Sequence, residues 1–294
     1  MIQRYITYIL AGIALCMGCC SCSSSKKQTE KPLITVTIEP LRYFTEAIGG
    51  DQFEVNSMVP KGSSPETYDP TPHQLVDLHK SKAYLRIGYI GFEVSWIEKI
   101  MANAPQVPFF DTSKGVDLIH SGGHWHGDHF HAENEEPHIW NSTKNAQIIA
   151  DNICKALCQI DPANQTRYQM RTDSLKQVIQ QTDQRLRTLM QGADKTFLIY
   201  HPALSYFARD YGLKQISIEK GGKEPSPSYL KELIETCRNE QAHVIFVQQE
   251  FDTKNAQLIA SEVGVEVITI NPLSYEWKEE MERIASSLNH KEKK

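Results

Sequence analysis

The sequence predicts an α/β protein of two lobes, each built on a largely parallel sheet, joined by one long rigid helix. Three observations carry this. Short β-rich runs alternate with helical patterns, as strands linked by helical crossovers do. The alternation occurs twice, in separate halves of the chain. Between the halves a helical pattern runs unbroken from about Asn164 to Gln191. With 294 residues the chain has room for two lobes at roughly 150 residues per domain.

The first residues are read apart from the fold. Arg4 supplies a positive start, and the apolar run Tyr5–Leu15 is shorter than the roughly 20 residues of a membrane span. It ends in Cys16-Met-Gly-Cys-Cys-Ser-Cys22, which resembles the lipobox of a bacterial lipoprotein. Cleavage before such a cysteine leaves a thiol for acylation. Cys19, after Gly18, is the first candidate, and Cys22, after Ser21, the second. Residues 1–22 are therefore expected to be a signal peptide and 23–31 a polar tether.

The first lobe is expected over 32–163. Leu33–Ile38, Glu54–Val59 and Ala83–Ile87 are its predicted strands, with helical segments at Tyr43–Ile48 and His73–His79. Residues 115–137 are rich in Gly, His and acids without periodicity, and are expected to form a loop insertion. The linking helix, 164–191, places Tyr168, Leu175, Val178, Ile179, Thr182, Leu186 and Leu189 at three- and four-residue steps, and Gly192 suits its end. At 1.5 Å per residue it spans roughly 39 Å, enough to cross both lobes. The second lobe is expected over 192–294. Its predicted strands are Thr196–Tyr200, Gln215–Ile218, His243–Val247 and Val265–Ile270, with helices at Ala203–Tyr211, Pro227–Arg238 and Asn255–Val263.

Composition narrows the function. Hydrophobic residues at 40% and charged residues at 23% exclude disorder for the bulk of the chain. A net charge of −5 argues against a nucleic-acid partner, which would need a basic face. Beyond the leader, Cys154, Cys158 and Cys237 are an odd number and no disulfide framework. Cys154 and Cys158 stand four apart in a helical pattern, with Cβ atoms about 5–6 Å apart, too far to bridge.

In open parallel sheets, ligands bind beyond the carboxyl ends of the strands. Those ends lead into Glu66 and Asp69, Glu93, His201, Glu219 and Glu224, Gln248, Gln249 and Glu250, and Asn271; His138 follows the His-rich loop. An imidazole and a carboxylate from each lobe would suit zinc, and also manganese or iron.

Several stretches resemble the periplasmic metal-binding proteins that feed ABC importers of zinc, manganese and iron, the zinc-uptake members above all. They are Gly62-Ser-Ser-Pro-Glu-Thr-Tyr-Asp-Pro-Thr-Pro72, Glu136-Pro-His-Ile-Trp-Asn-Ser-Thr-Lys-Asn-Ala146, His201-Pro-Ala-Leu-Ser-Tyr-Phe-Ala-Arg-Asp-Tyr-Gly-Leu213, Gly222-Lys-Glu-Pro-Ser-Pro227 and Asn271-Pro-Leu273. The resemblance implies a metal in the cleft between the lobes, held by His138 and His201. Where that family usually has Pro-His-Thr-Tyr, this chain has Pro65-Glu66-Thr67-Tyr68, so Glu66 is expected to replace an imidazole with a carboxylate. A harder, anionic donor moves preference toward manganese or iron. Asn271 stands where many members carry Asp, and Glu224 is the candidate fourth ligand. The resemblance further implies delivery to an ABC permease and its ATPase by a monomer, lipid-anchored in the cell envelope and facing the periplasm.

Six of the eleven histidines, His120, His124, His126, His129, His131 and His138, fall in one short stretch. The first five read as auxiliary metal capture. His124-Trp-His-Gly-Asp-His129 also satisfies the H-x-H-x-D-H pattern of metallo-β-lactamase-type hydrolases, which makes a zinc hydrolase the rival reading. No strand is expected before it, and those enzymes need further histidines downstream. A metal-binding surface adhesin is a third reading that the same fold would support.

Overall fold

The computed structural model describes residues 31–120 and 135–289 in full and, as backbone alone, 121, 124–126, 129–131 and 134. The expected lipidation sites Cys19 and Cys22 lie outside the described residues. Among the described residues, no helix is long and apolar enough to cross a membrane.

The first sheet contains β1 (Leu33–Val36), β2 (Glu54–Ser57), β3 (Tyr84–Arg86) and β4 (Phe109–Asp111), in the order β2-β1-β3-β4 and parallel throughout. Its crossovers carry α1 (Glu39–Gly49), α2 (Pro72–Lys80) and α3 (Gly91–Asn103). The sequence sets the start of α2: Thr71 and Gln74 form a reciprocal capping box, with Pro72 in the first turn. β4 and α3 were not among the predicted elements. β4 has three residues, too few to show a period. On α3, Val94 and Met101 are 69% and 47% exposed, which blurs the apolar stripe.

The His-rich stretch is not the plain loop expected. Its backbone forms two antiparallel pairs: β5 (His120–Ser121) with β8 (Asn134–Glu135), and β6 (His124–His126) with β7 (His129–His131). His124 stands opposite His131, Trp125 opposite Phe130, and His126 opposite His129. The alternation His-x-His is a period of two, the signal of a strand, which the density of His and Gly obscured.

Two long helices follow, α4 (Thr143–Ile160) and α5 (Gln165–Leu189). The 25 residues of α5 bury Tyr168, Thr172, Leu175, Ile179, Thr182 and Leu186, a strict three–four stripe. That stripe packs against α1, α4 and α9 (Trp277–Ser287).

The second sheet has β9 (Thr196–Ile199), β10 (Lys214–Ser217), β11 (Val244–Gln248) and β12 (Glu266–Ile270), in the order β10-β9-β11-β12, again all parallel. Its helices are α6 (Ser205–Tyr211), α7 (Pro227–Asn239), α8 (Lys254–Val263) and the terminal α9. Gly212, with φ +65°, ends α6 in the left-handed conformation that a residue with a Cβ resists.

One apolar core is shared by both lobes. It joins Ile34, Val36 and Leu85 of the first sheet to Phe197, Ile199 and Phe246 of the second. α9 reaches back across the junction. The Trp277 ring meets Phe44 edge-on at 5.3 Å, and its Nε1 donates to the Trp140 carbonyl at 2.8 Å. Trp140 Nε1 in turn donates to the Pro272 carbonyl at 2.8 Å. The two lobes are thus fixed against each other by buried aromatic and hydrogen-bonded contacts, with the strand ends facing a common cleft.

Candidate metal centre

Glu66 enters the cleft on the segment that follows β2. This segment leans on the start of α3: Phe92 N–H donates to the Pro65 carbonyl at 2.9 Å, and Gly91 N–H donates to Glu66 Oε2 at 3.3 Å. The approach is close enough to require glycine. A Cβ on Gly91 would stand 2.6 Å from the Glu66 carbonyl oxygen and 2.8 Å from Oε2. With Oε2 so held, Oε1 is buried without a hydrogen-bond partner.

His138 lies between β8 and α4 and is 5% exposed. Its Nδ1 contacts Glu136 Oε1, and the other oxygen of Glu136 accepts from the Ser205 hydroxyl at 3.2 Å. Burial disfavours a charged imidazole, but the adjacent Glu136 outweighs it and pushes the His138 pKa up. Burial likewise works against the Glu136 carboxylate, yet His138 holds its pKa below the usual range.

His201 follows β9 and is clamped by its neighbour strand. Gln248, at the end of β11, accepts from His201 N–H at 3.3 Å and donates to the His201 carbonyl at 2.6 Å. The ring stacks on Phe251 at 5.6 Å and 18°, and Nδ1 lies 2.8 Å from Glu219 Oε1, just beyond β10.

These two carboxylates set the tautomers. An ionised carboxylate only accepts, so each Nδ1 carries the proton and donates it, leaving each Nε2 with a bare lone pair. The two Nε2 atoms face each other at 3.2 Å. Two lone pairs so placed repel unless a proton or a cation sits between them. Two Zn–N bonds of about 2.0–2.1 Å at a tetrahedral angle would place their nitrogens about 3.3–3.4 Å apart, nearly the separation seen. Glu66 Oε1 is 3.9 Å from His138 Nε2, and one donor atom from each of Glu66, His138 and His201 lies within 4.8 Å of the others. The surrounding cavity offers about 10 Å³ for the centre of a water-sized body, and Trp140, Phe251, Pro272 and Leu273 give it apolar walls. The donor set, the imidazole orientation and the size all fit one divalent ion.

The structure therefore brings together three of the four cleft residues expected from the sequence. It does not bring Glu224. The chain turns at Gly221 and Gly222, with a bridge between Lys220 and Lys223, and carries Glu224 to the surface, where it accepts from Asn255 Nδ2 at 3.3 Å. Asn271 caps its own turn by accepting from Leu273 N–H at 3.2 Å. His120 is exposed, and the side chains of His124, His126, His129 and His131 lie outside the described residues. Sequence reasoning gave no role to Glu136, Glu219, Gln248 or Gly91. Glu136 stands two residues from His138, while Glu219 and Gln248 follow predicted strand ends, so position marked three of them. Nothing in the sequence marked Gly91, whose role is a contact between distant segments.

Residues 34–290 match the family described as zinc-uptake complex component A, periplasmic. The chain belongs to that family. It is similar to the high-affinity zinc uptake system protein ZnuA of Bacillus subtilis, 29% identical over 289 residues, covering 94% of this chain and 90% of the relative. It is also similar to the manganese ABC transporter substrate-binding lipoprotein PsaA of Streptococcus pneumoniae, 27% identical over 271 residues, covering 87% and 85%. Among solved structures, a crystal structure of ZnuA superposes with a TM-score of 0.81 at 34% identity, covering 88% of this chain and 98% of the other. A zinc-bound deletion mutant of ZnuA gives 0.80 at 34%, covering 88% and 96%. The family is one of periplasmic metal-binding transport proteins.

Proposed function

We propose that this protein captures a divalent transition metal, zinc foremost, in the cell envelope and delivers it to an ABC importer. The observation that carries this is the facing pair of imidazoles, each held through Nδ1 by its own carboxylate, with both Nε2 atoms turned to one ion-sized space. Carboxylate-oriented histidines of this kind are a recurring arrangement at metal sites. Glu66 supplies an anionic third donor, which leaves room for manganese or iron as competing cargo. The relatives named for zinc uptake and for manganese ABC transport support the same reading and its partners, a permease and an ATPase. Acylation at Cys19 or Cys22 would tether a monomer to the membrane, facing the periplasm. The chemistry is binding and release, not catalysis. A catalytic zinc keeps a coordination position open to water or substrate, whereas this cavity is narrow and apolar-walled.

Native mass spectrometry of the purified mature protein with competing zinc and manganese tests the reading. One tightly held zinc per chain is expected, lost in both His138→Ala and His201→Ala. Absence of any tight equivalent, or tight binding that survives both substitutions, would refute it.

A further inference from the structure

Two imidazoles and one carboxylate leave a tetrahedral shell one donor short. The cavity itself holds a further carboxylate. Glu250 follows β11 by two residues and lines the same space as Glu66, His138 and His201. Its Oε2 is closed off from solvent and has no hydrogen-bond partner. A buried carboxylate oxygen left unpaired is costly, and such atoms in a folded protein call for an explanation. Among the described residues, four buried side-chain polar atoms are unpaired, and two of them are the Glu66 and Glu250 oxygens in this one cavity.

Resting on the metal-capture reading above, we propose that Glu250 is the fourth ligand and closes the ion's shell. Its carboxylate lies outside the group of donor atoms that already stand within 4.8 Å of one another, so it moves inward by side-chain rotation when the metal enters. Placement on the second lobe gives the site one imidazole and one carboxylate from each side: His138 with Glu66, and His201 with Glu250. Counted over the direct donors alone, two neutral imidazoles and two carboxylates match the charge of a divalent cation. A fourth protein donor also leaves no position for a reactive water, in keeping with transport.

The discriminating experiment loads the mature protein with zinc and, separately, with cobalt(II), whose visible absorption is strong in tetrahedral sites and weak at higher coordination. Wild type, Glu250→Gln, Glu250→Asp, His201→Ala and the exposed-neighbour control Gln249→Ala are compared, with circular dichroism confirming the fold. Expected results are zinc affinity at least about tenfold weaker in Glu250→Gln, an altered cobalt spectrum, partial recovery in Glu250→Asp, and wild-type behaviour in Gln249→Ala. If Glu250→Gln matches wild type in affinity and spectrum while His201→Ala loses binding, the cleft site stands and Glu250 is not a ligand. If wild type itself binds neither metal, the capture reading fails and takes this assignment with it.

Discussion

Glu66 shows how much of the site rests on single atoms. Its position is set by the Gly91 N–H, and Gly91 has no space for a Cβ. Replacing a helical Gly by Ala ordinarily stabilises by about 0.5–1 kcal/mol through backbone entropy. Here the new methyl would meet a backbone oxygen at 2.6 Å, so the Glu66 segment must move. Gly91→Ala is expected to weaken zinc binding by about tenfold or more while the circular dichroism spectrum is retained; isothermal titration of both proteins decides it. Unchanged affinity would show that Glu66 tolerates displacement. Glu66→His is the complementary test. An imidazole in place of the carboxylate removes one negative charge and softens the donor set, so zinc binding is expected to hold or tighten and manganese binding to fall relative to it. Competition between the two metals in one titration reads the ratio directly, and a ratio that moves toward manganese would contradict the assignment.

Two elements carry consequences of their own. The start of α3 is tied to the end of β3 by Glu93, which is fully buried and accepts from the Thr37 hydroxyl and from the N–H groups of Ile87 and Gly88. Burial outweighs these donors and raises the Glu93 pKa above the ordinary carboxylate value. A raised folded-state pKa contributes stability that is complete below the unfolded value and is lost as pH rises through the folded one. The stability of wild type relative to Glu93→Gln should therefore fall as pH rises from about 4.3 toward neutrality. Urea midpoints of both proteins across that range measure it, and parallel curves would remove Glu93 as the cause. The paired β6 and β7 place four histidines at facing register positions. Deleting residues 121–133 is expected to abolish additional, weaker zinc equivalents and to leave one tight site. Loss of the tight site with the deletion would move the principal ligands into the hairpin.

For the whole molecule, the lobes share one core and α9 locks across their junction, so the cleft is a fixed feature of the fold. Attachment to the membrane is a proposal that belongs to this level. The apolar run ending in a cysteine cluster predicts that Cys19→Ser with Cys22→Ser moves the protein from the membrane to the soluble fraction. Fractionation followed by immunoblotting checks this, and persistent membrane association would rule out both cysteines as the anchor. An acylated terminus with several chains is sufficient for stable anchoring, whereas a single chain is marginal.

The division of labour between sequence and tertiary structure follows from range. Strand and helix alternation, the α5 stripe and the capping box at Thr71 are local patterns, set by periodicity and by side chains a few residues apart, and they were legible before any coordinates. So were the candidates His201 and Glu66, because a parallel sheet delivers the residues after its strands to one edge, whereas His138, which follows β8, was marked by the family resemblance of its Glu136-Pro-His-Ile-Trp140 stretch. Short or irregular elements were not. β4 has three residues, α3 carries exposed apolar side chains, and the β6–β7 hairpin hides its period of two among histidines and glycines. α9, whose stripe Trp277, Met281, Ile284, continued by Leu288 just past its end, is plain in the chain, lies beyond the last predicted strand. What no local pattern could supply were the contacts between distant segments. Glu219 reaches His201 over 18 residues, and Gly91 holds Glu66 over 25. Glu224 and Glu250 both follow strand ends, yet a glycine turn takes one to solvent while the other, half-buried, lines the cleft with its Oε2 closed off from water. Strand ends nominate donors, but only packing decides which of them lose their water, because burial depends on everything else that arrives at the same place.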